Sequence, residues 1–336
     1  MLRGRGIKGD GVQLNNIEII GLGALNIDHI YKVERLLDDG EAVVEAAISS
    51  PGGSAANTIY GLAKLGVRGG FVGAVGDDDE GKTMLQDFQK VGVNTSQIKI
   101  KKRAKTGSVL CLSDHQGRRS LYVLAGANSQ LTINDLDMSY INQAKMLHLS
   151  SFADERQFRV LLEVIDRLDS SVKVSFSPGE LYAAKGLGVL APILKRTYVL
   201  FLNQNELKQL TRKDLRTGAE SCLEQGCQIV AVTLGRGERL KLGQGISRKV
   251  TATSYTSDAQ GEYVTEANGG KIVDEVDTTG AGDAFASGFL YGLLKERKIK
   301  ECALLGDTTA RLCIGRTGAR DGLPNATELA QRYQQL

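Results

Sequence analysis

Little in this 336-residue chain suits a disulfide-stapled, zinc-bound or membrane-spanning protein. Its five cysteines, Cys111, Cys222, Cys227, Cys302 and Cys313, form an odd set without a CxxC pair, and its three histidines stand apart at positions 29, 115 and 148. Disulfide frameworks and tetrahedral zinc sites need paired ligands at short spacing, so neither is supported. No apolar run reaches the ~18 residues of a membrane-spanning helix. The net charge is only +3 on 42 basic and 39 acidic side chains, with no basic run and no arginine-aromatic cluster, which speaks against nucleic acid as the main partner. Residues 1–14 are polar, basic and Gly-rich and read as a flexible tail, not a signal peptide. A reduced, cytoplasmic location is expected.

What the chain does have is core material, with 42% of its residues hydrophobic, enough for one large α/β domain and a small appendage. Short apolar runs at 17–20, 71–75, 146–149, 172–176, 198–202 and 229–234 read as strands buried on both faces. Amphipathic stretches lie between them, at 55–65 before Gly66 and at 156–168, where Phe158, Leu161, Leu162, Ile165 and Leu168 share one face. This alternation predicts a three-layer α/β/α fold around a mostly parallel, doubly wound sheet. Segments 29–50 and 106–124 break the rhythm with alternating Val, Ile, Tyr and Thr, the second folding about Asp114-His115-Gln116-Gly117. They predict a small β-sheet lid on a central domain of residues 15–28, 51–105 and 125–336. The polar stretch 248–271 reads as a surface hairpin with a long tip.

The segment Asp277-Thr278-Thr279-Gly280-Ala281-Gly282-Asp283 carries the chemistry. Two glycines around Ala281 leave backbone N–H groups open to an approaching anion, and the apolar residues 284–294 suit a buried helix that starts there. A helix N-terminus favours phosphate oxygens or developing negative charge. Asp283 in its first turn fits either a helix-capping acid or a general base facing a substrate hydroxyl.

Two motif matches are rejected. Residues 76–83, Gly-Asp-Asp-Asp-Glu-Gly-Lys-Thr, satisfy the P-loop pattern, but four carboxylates in a polyphosphate cradle would repel the ligand. Gly21-Leu22-Gly23 is followed by Asn26 where a dinucleotide-binding turn needs its third Gly. Asp28, taken at a strand end, and Asn57, beside the turn Gly52-Gly53, could together bind vicinal hydroxyls, although by themselves a plain turn and a helix cap explain them better. Asn203 and Glu206, at N-x-x-E spacing, fit either a hydrated magnesium site or a helix start. Thr233, Gly235 and Gly237 end a strand with a loop where a nucleotide can lie. All these clusters are expected at the carboxyl ends of parallel strands or in the turns that follow them.

Together, Asp277–Asp283, written D-T-x-G-A-G-D, and Gly52-Gly53 with Asn57 resemble the signatures of the ribokinase (PfkB) family of carbohydrate and nucleoside kinases. The resemblance runs from about Ile17 to Gly318-Ala319-Arg320-Asp321-Gly322-Leu323-Pro324 and implies a central α/β domain with a β-sheet lid. It implies Asp283 as base toward a terminal hydroxymethyl group, with Gly280, Ala281, Gly282 and the Asp283 N–H as the anion hole. It also implies ATP as donor, magnesium held through water by Asn203 and Glu206, and a nucleotide lined by Thr233, Gly235 and Gly237. Asn26, Asp28, Gly52, Gly53 and Asn57 would hold a sugar or nucleoside, Asp277 and Thr279 match a monovalent-cation (potassium) site of some members, and the lid is a candidate homodimer interface. Ser54 departs from the family, since ribokinases proper carry Lys there. Ser150-Ser151-Phe152 likewise replaces a substrate-binding Glu, so the substrate stays open between free sugar and nucleoside. A non-catalytic sensor on the same scaffold is the rival class, and a dinucleotide-dependent oxidoreductase a weaker one.

Overall fold

The structure, a computed structural model, describes residues 17–116, 118–242, 248–267 and 276–334. Thirteen strands occur among these residues: β1 (Ile19–Leu22), β2 (Asn26–Val33), β3 (Val44–Gly52), β4 (Gly69–Gly76), β5 (Asn94–Lys101), β6 (Gly107–Asp114), β7 (Arg119–Leu124), β8 (Met146–Ser150), β9 (Lys173–Ser177), β10 (Thr197–Asn203), β11 (Ile229–Leu242), β12 (Arg248–Asp258) and β13 (Gly261–Glu266). They form a nine-stranded sheet in the order β13-β12-β11-β10-β9-β8-β1-β4-β5 and a four-stranded sheet in the order β3-β2-β6-β7. In the large sheet the strands from β5 to β11 in that order run parallel, and only β12 is reversed, pairing antiparallel with both β11 and β13.

The apolar runs become central strands because both faces of the sheet are covered. Successive residues point to opposite faces, so Ile20 joins one core cluster with Leu147, Leu149 and Phe158, while Ile19 joins another with Ile59, Phe71 and Phe289. The helix Glu155–Arg167 lays Phe158, Leu161 and Ile165 on the first of these. The helix Ala281–Leu294 is buried along most of its length on the second, its Phe289 ring meeting Phe201 edge-on at 5.3 Å. Burying one such phenylalanine contributes about 2–3 kcal/mol. The chain winds outward from β1 through β4 to β5, then returns beside β1 as β8 and proceeds through β9 and β10 to β11. That reversal makes a switch point between β1 and β8, and ligand crevices open at the carboxyl ends of strands around such a point.

Several expectations change. The small sheet begins at Asn26, earlier than the strand-rich segment beginning at 29, and Asp28 pairs with Ser50 and Val109 within it. Asn26, Asp28 and Gly52 therefore belong to the small sheet and not to the end of a central strand. The reason is that β1 stops after four residues, where the chain crosses between sheets. Asn57 is not a helix cap but lies inside the helix Ser54–Lys64, whose N-cap is Gly53. The run Thr233 to Gly237 does not end its strand. β11 continues to Leu242 through an irregularity between Thr233 and Glu238, where Gly235 and Gly237 take positive φ of 59° and 108°. Such glycines let a strand bulge without losing its partner. The polar stretch forms β12 and β13, joined at Ala259-Gln260 by a two-residue turn where a long tip was expected. Residues 268–271 of that stretch, the tail 1–14 and Gly117 of the expected hairpin turn lie outside the described residues.

The rejected motifs acquire structural roles. Asp78 caps the helix Asp79–Lys90, accepting from the N–H of Gly81 at 2.9 Å, and also accepts from the Thr106 hydroxyl at 2.6 Å. Its carboxylate thus fills the turn a phosphate would need. Gly21 and Gly23 serve close packing, because a Cβ at either would strike Ile59 or Ser150 at 2.5 and 2.4 Å. No helix among the described residues is long and apolar enough to cross a membrane.

Candidate active site

Gly280 opens the site. It is the N-cap of the helix Ala281–Leu294 with φ of 76° and ψ of 2°, and a Cβ there would lie 2.6 Å from that of Ala319. Only glycine fits both the left-handed backbone and the close approach of the Gly318-Ala319 turn. The Ala281 N–H is already spent on the Thr278 carbonyl at 3.2 Å, which removes it from the expected anion hole. Among the described residues no protein acceptor takes the N–H groups of Gly280, Gly282 or Asp283.

Asp283 does not cap its own helix. Its two carboxylate oxygens reach the neighbouring helix Ser54–Lys64, Oδ1 accepting from the Ser54 hydroxyl at 2.7 Å and Oδ2 from the Asn57 amide nitrogen at 2.9 Å. Ser54, read from sequence as a departure, is a direct partner of the acid. The two helices are held at this distance by small residues: a Cβ on Gly61 would meet Ser287 at 2.7 Å. Gly53 permits the turn before the helix, with φ of 100° and the Ala24 carbonyl 2.2 Å from where a Cβ would stand. Gly52 is likewise constrained, since a Cβ there would stand 2.3 Å from the Asp28 carboxylate. Asn26 is buried and accepts from Asn128 Nδ2 at 2.9 Å.

Asn203, at the end of β10, sits in register with Thr233 of β11. Asn203 and Glu206 form a capping box on the helix Gln204–Thr211, each accepting the other's backbone N–H at 2.9 Å. The helix-start reading is therefore realised. Among the described residues it leaves Glu206 Oε1 without a protein partner, and one cavity is lined by Ser54, Ser177, Asn203, Glu206, Thr233, Gly282 and Asp283. Gly235 and Gly237 do not line that cavity. Asp277 accepts from the Thr279 N–H and the Gly318 N–H, both at 2.9 Å, so it ties the loop to the following turn.

Three carboxyl groups here are harder to ionise than usual. Burial pushes Asp28 up to about 7, with the nearby Asp283 adding to the shift and Arg320 opposing it. Burial also lifts Glu206 to about 7, again with a contribution from Asp283. Asp283 rises to about 6, burial outweighing the Asn57 and Ser54 hydrogen bonds and the Arg320 charge. Glu206 and Asp283, poised near neutrality, line one cavity, and such carboxyls suit proton transfer or cation binding. Arg320 was legible only as part of the closing Gly-Ala-Arg-Asp run. It is buried, and its guanidinium Nε donates to Asn57 Oδ1 at 2.9 Å.

An open-edged α/β/α sheet, a Gly-rich helix N-terminus and a carboxylate beside it define a phosphotransferase class acting on small hydroxyl compounds. Residues 16–326 match the pfkB family carbohydrate kinases. The chain is 37% identical over 272 residues to an uncharacterized sugar kinase of Archaeoglobus fulgidus, covering 80% of this chain and all of the relative. It is 30% identical over 321 residues to an ATP-dependent ribose-1-phosphate kinase of Halopiger xanaduensis, covering 94% and 97% of the two chains. Among solved structures, ribokinase from Thermotoga maritima superposes with a TM-score of 0.78 at 24% identity, covering 95% of this chain and 99% of that one. Nucleoside kinase from Methanocaldococcus jannaschii gives 0.77 at 21% identity over 96% and 100%. This chain belongs to the pfkB family of carbohydrate kinases and has the ribokinase-like fold.

Proposed function

We propose that the protein transfers the terminal phosphoryl group of ATP to a hydroxymethyl group of a free sugar or nucleoside, with Asp283 as general base. The carrying observation is the placement of Asp283, its carboxylate steadied by Ser54 and Asn57 at a helix start whose Gly280, Gly282 and Asp283 N–H groups have no acceptor among the described residues. The base takes the acceptor's hydroxyl proton, and the N–H groups stabilise charge on the transferring phosphoryl. With a folded-state value near 6, Asp283 is mostly ionised at neutral pH and still basic enough to accept a proton.

Asp28, Asn26, Gly52, Gly53 and Asn57 form the acceptor end, and Thr233 with the bulge at Gly235 and Gly237 the nucleotide end. Magnesium, the group this family uses with ATP, fits the chemistry of Glu206 Oε1 and Asn203, which would hold it through water while it neutralises phosphate charge. Asp277 and Thr279 would serve a monovalent cation such as potassium. The small sheet acts as the lid, and its exposed Leu121, Tyr122 and Leu124, at 61%, 58% and 67%, suit a homodimer contact that light scattering would reveal. Five buried cysteines, none of them joined in a disulfide, fit a reducing cytoplasm.

Glu206→Gln is expected to raise the magnesium concentration for half-maximal activity by about tenfold. The amide oxygen can keep the capping box, so the melting temperature is expected to hold. A melting temperature that collapses with an unaltered magnesium titration would return Glu206 to a capping role alone.

A nucleoside acceptor is a second reading, prompted by one feature. Gln157 is buried and donates its amide nitrogen to the Ser129 and Leu131 carbonyls, leaving Oε1 unpaired beside a small cavity that Asn26 and Phe152 also line. An acceptor atom next to an aromatic ring suits a ligand edge that carries a donor, although the cavity, about 10 Å³, has room for little more than a water as it stands. The deciding experiment is ADP release from magnesium-ATP with ribose, ribose-1-phosphate, fructose, 2-keto-3-deoxygluconate, adenosine, inosine and cytidine, with and without potassium. No turnover of any of them, together with tight binding of one, would favour a non-catalytic sensor.

A further inference from the structure

We propose that Arg320 is a positioning residue for phosphoryl transfer, one that locks the Asn57 amide with its nitrogen toward Asp283 and sets a fixed positive charge behind the carboxylate cluster. Its role in turnover rests on the assignment of Asp283 as base, whereas its effect on the carboxylate can be read separately.

Arg320 lies 263 positions from Asn57 in the chain, yet its guanidinium enters the site from behind. Nε donates to Asn57 Oδ1 at 2.9 Å, Nη1 to Asp87 Oδ2 at 2.6 Å, and Nη2 faces the Gly52 carbonyl at 3.4 Å. The rings of Tyr60 and Phe88 lie against the guanidinium, 4.9 and 5.3 Å from centroid to carbon. A planar group bonded along its edge and packed against two rings has little freedom to rotate.

That rigidity passes to the base through one amide. The two ends of an asparagine amide have almost the same shape, and only hydrogen bonding decides which way they point. A permanent donor at Oδ1 forces Nδ2 toward Asp283, where it donates at 2.9 Å. Released from Arg320, the amide can turn its oxygen to the carboxylate and repel it. An ion pair kept only for stability needs Asp87 alone, and burying a charge is costly before pairing offsets it. The additional bond into Asn57 links this buried pair to the site.

The charges around Asp283 make the second half of the case. Facing it are Asp28 from the small sheet, Glu206 from the helix Gln204–Thr211 and the Cys313 thiol from the helix Ile299–Cys313, with Ser54 and Asn57 as neutral donors. Arg320 is the cation that opposes the burial-driven rise of both Asp28 and Asp283. Removing it leaves those acids to raise one another, so the Asp283 carboxyl titrates higher.

The test follows aspartate carboxyl carbons by 13C NMR across pH 4 to 9 in the full-length chain, with Asp283→Asn identifying the Asp283 signal. In Arg320→Met that signal is expected to titrate about one unit higher. In Asp87→Asn, where Arg320 loses its neutralising partner, it is expected to titrate lower. Turnover with magnesium-ATP and the acceptor found in the screen is expected to fall about tenfold at pH 8 in Arg320→Met, with KM little changed. Arg320→Lys should restore the titration but not that turnover, because an ammonium lacks the fork that holds Asn57. An Asp283 signal at an unmoved pH in folded Arg320→Met overturns the proposal. Should that variant not fold, an unmoved signal in Asp87→Asn does so. Full turnover in Asp283→Asn would instead remove the base assignment and leave the titration result standing.

Discussion

Asp283→Asn is expected to lower turnover by at least about a hundredfold while leaving acceptor affinity within a few-fold of the natural protein. The substitution changes charge but hardly shape. Asn57 must donate to one side-chain atom, so the new amide oxygen takes the place of Oδ2 and the new nitrogen faces Ser54. The Ser54 hydroxyl can rotate to accept, which preserves both contacts. Acceptor binding at the proposed contacts, Asp28 and Asn57, is therefore expected to survive, and only the proton acceptor is lost. Steady-state kinetics would separate the two, since loss of an interaction made only in the transition state lowers kcat and kcat/KM together. Unchanged turnover would show that the hydroxyl loses its proton to another group.

The second large effect is structural and concerns Gly280. Gly280→Ala is expected to destabilise the fold by about 2 kcal/mol or more and to abolish most activity. The new Cβ would stand 2.6 Å from Ala319 Cβ and 2.7 Å from its Cα, at a φ of 76° that L-residues disfavour. Relief requires the loop to move away from the Gly318-Ala319 turn, and the Asp277 bond to the Gly318 N–H would be stretched with it. The neighbouring Gly282→Ala serves as control, because a Cβ there meets nothing within 4 Å. Its melting temperature is expected to match that of the natural protein, so thermal unfolding of the pair separates backbone strain from lost access for a ligand. Equal melting temperatures in both variants would mean that the turn accommodates a side chain at 280.

Much of this site is contiguous in sequence and so was readable there. The segment Asp277–Asp283 holds its glycines, its acid and its helix start in a single run, and the short apolar runs state the central strands directly. Contacts between distant segments were not readable in this way. Ser54 looked like a missing lysine until its hydroxyl was found on Asp283, 229 positions away. Arg320 showed no periodicity or spacing that connects it with Asn57 or Asp87. The Ala281 N–H looked available because a Gly-Ala-Gly run says nothing about where the preceding carbonyl turns, and Thr278 had already taken it. Thr233 to Gly237 read as a loop because glycines weaken a strand pattern, although β12 keeps the chain paired beyond the bulge.

The amino-acid sequence by itself determined the fold class and the glycine-flanked helix start at Asp283, because buried strands and such a helix start are local patterns of hydrophobicity and backbone freedom. The tertiary structure alone decided the direction of the Asp283 carboxylate and which charges share its surroundings. Those depend on two helices meeting at glycine contacts and on an arginine reaching across the fold, and hydrogen-bond geometry over a few ångströms leaves no trace in the spacing of residues hundreds of positions apart.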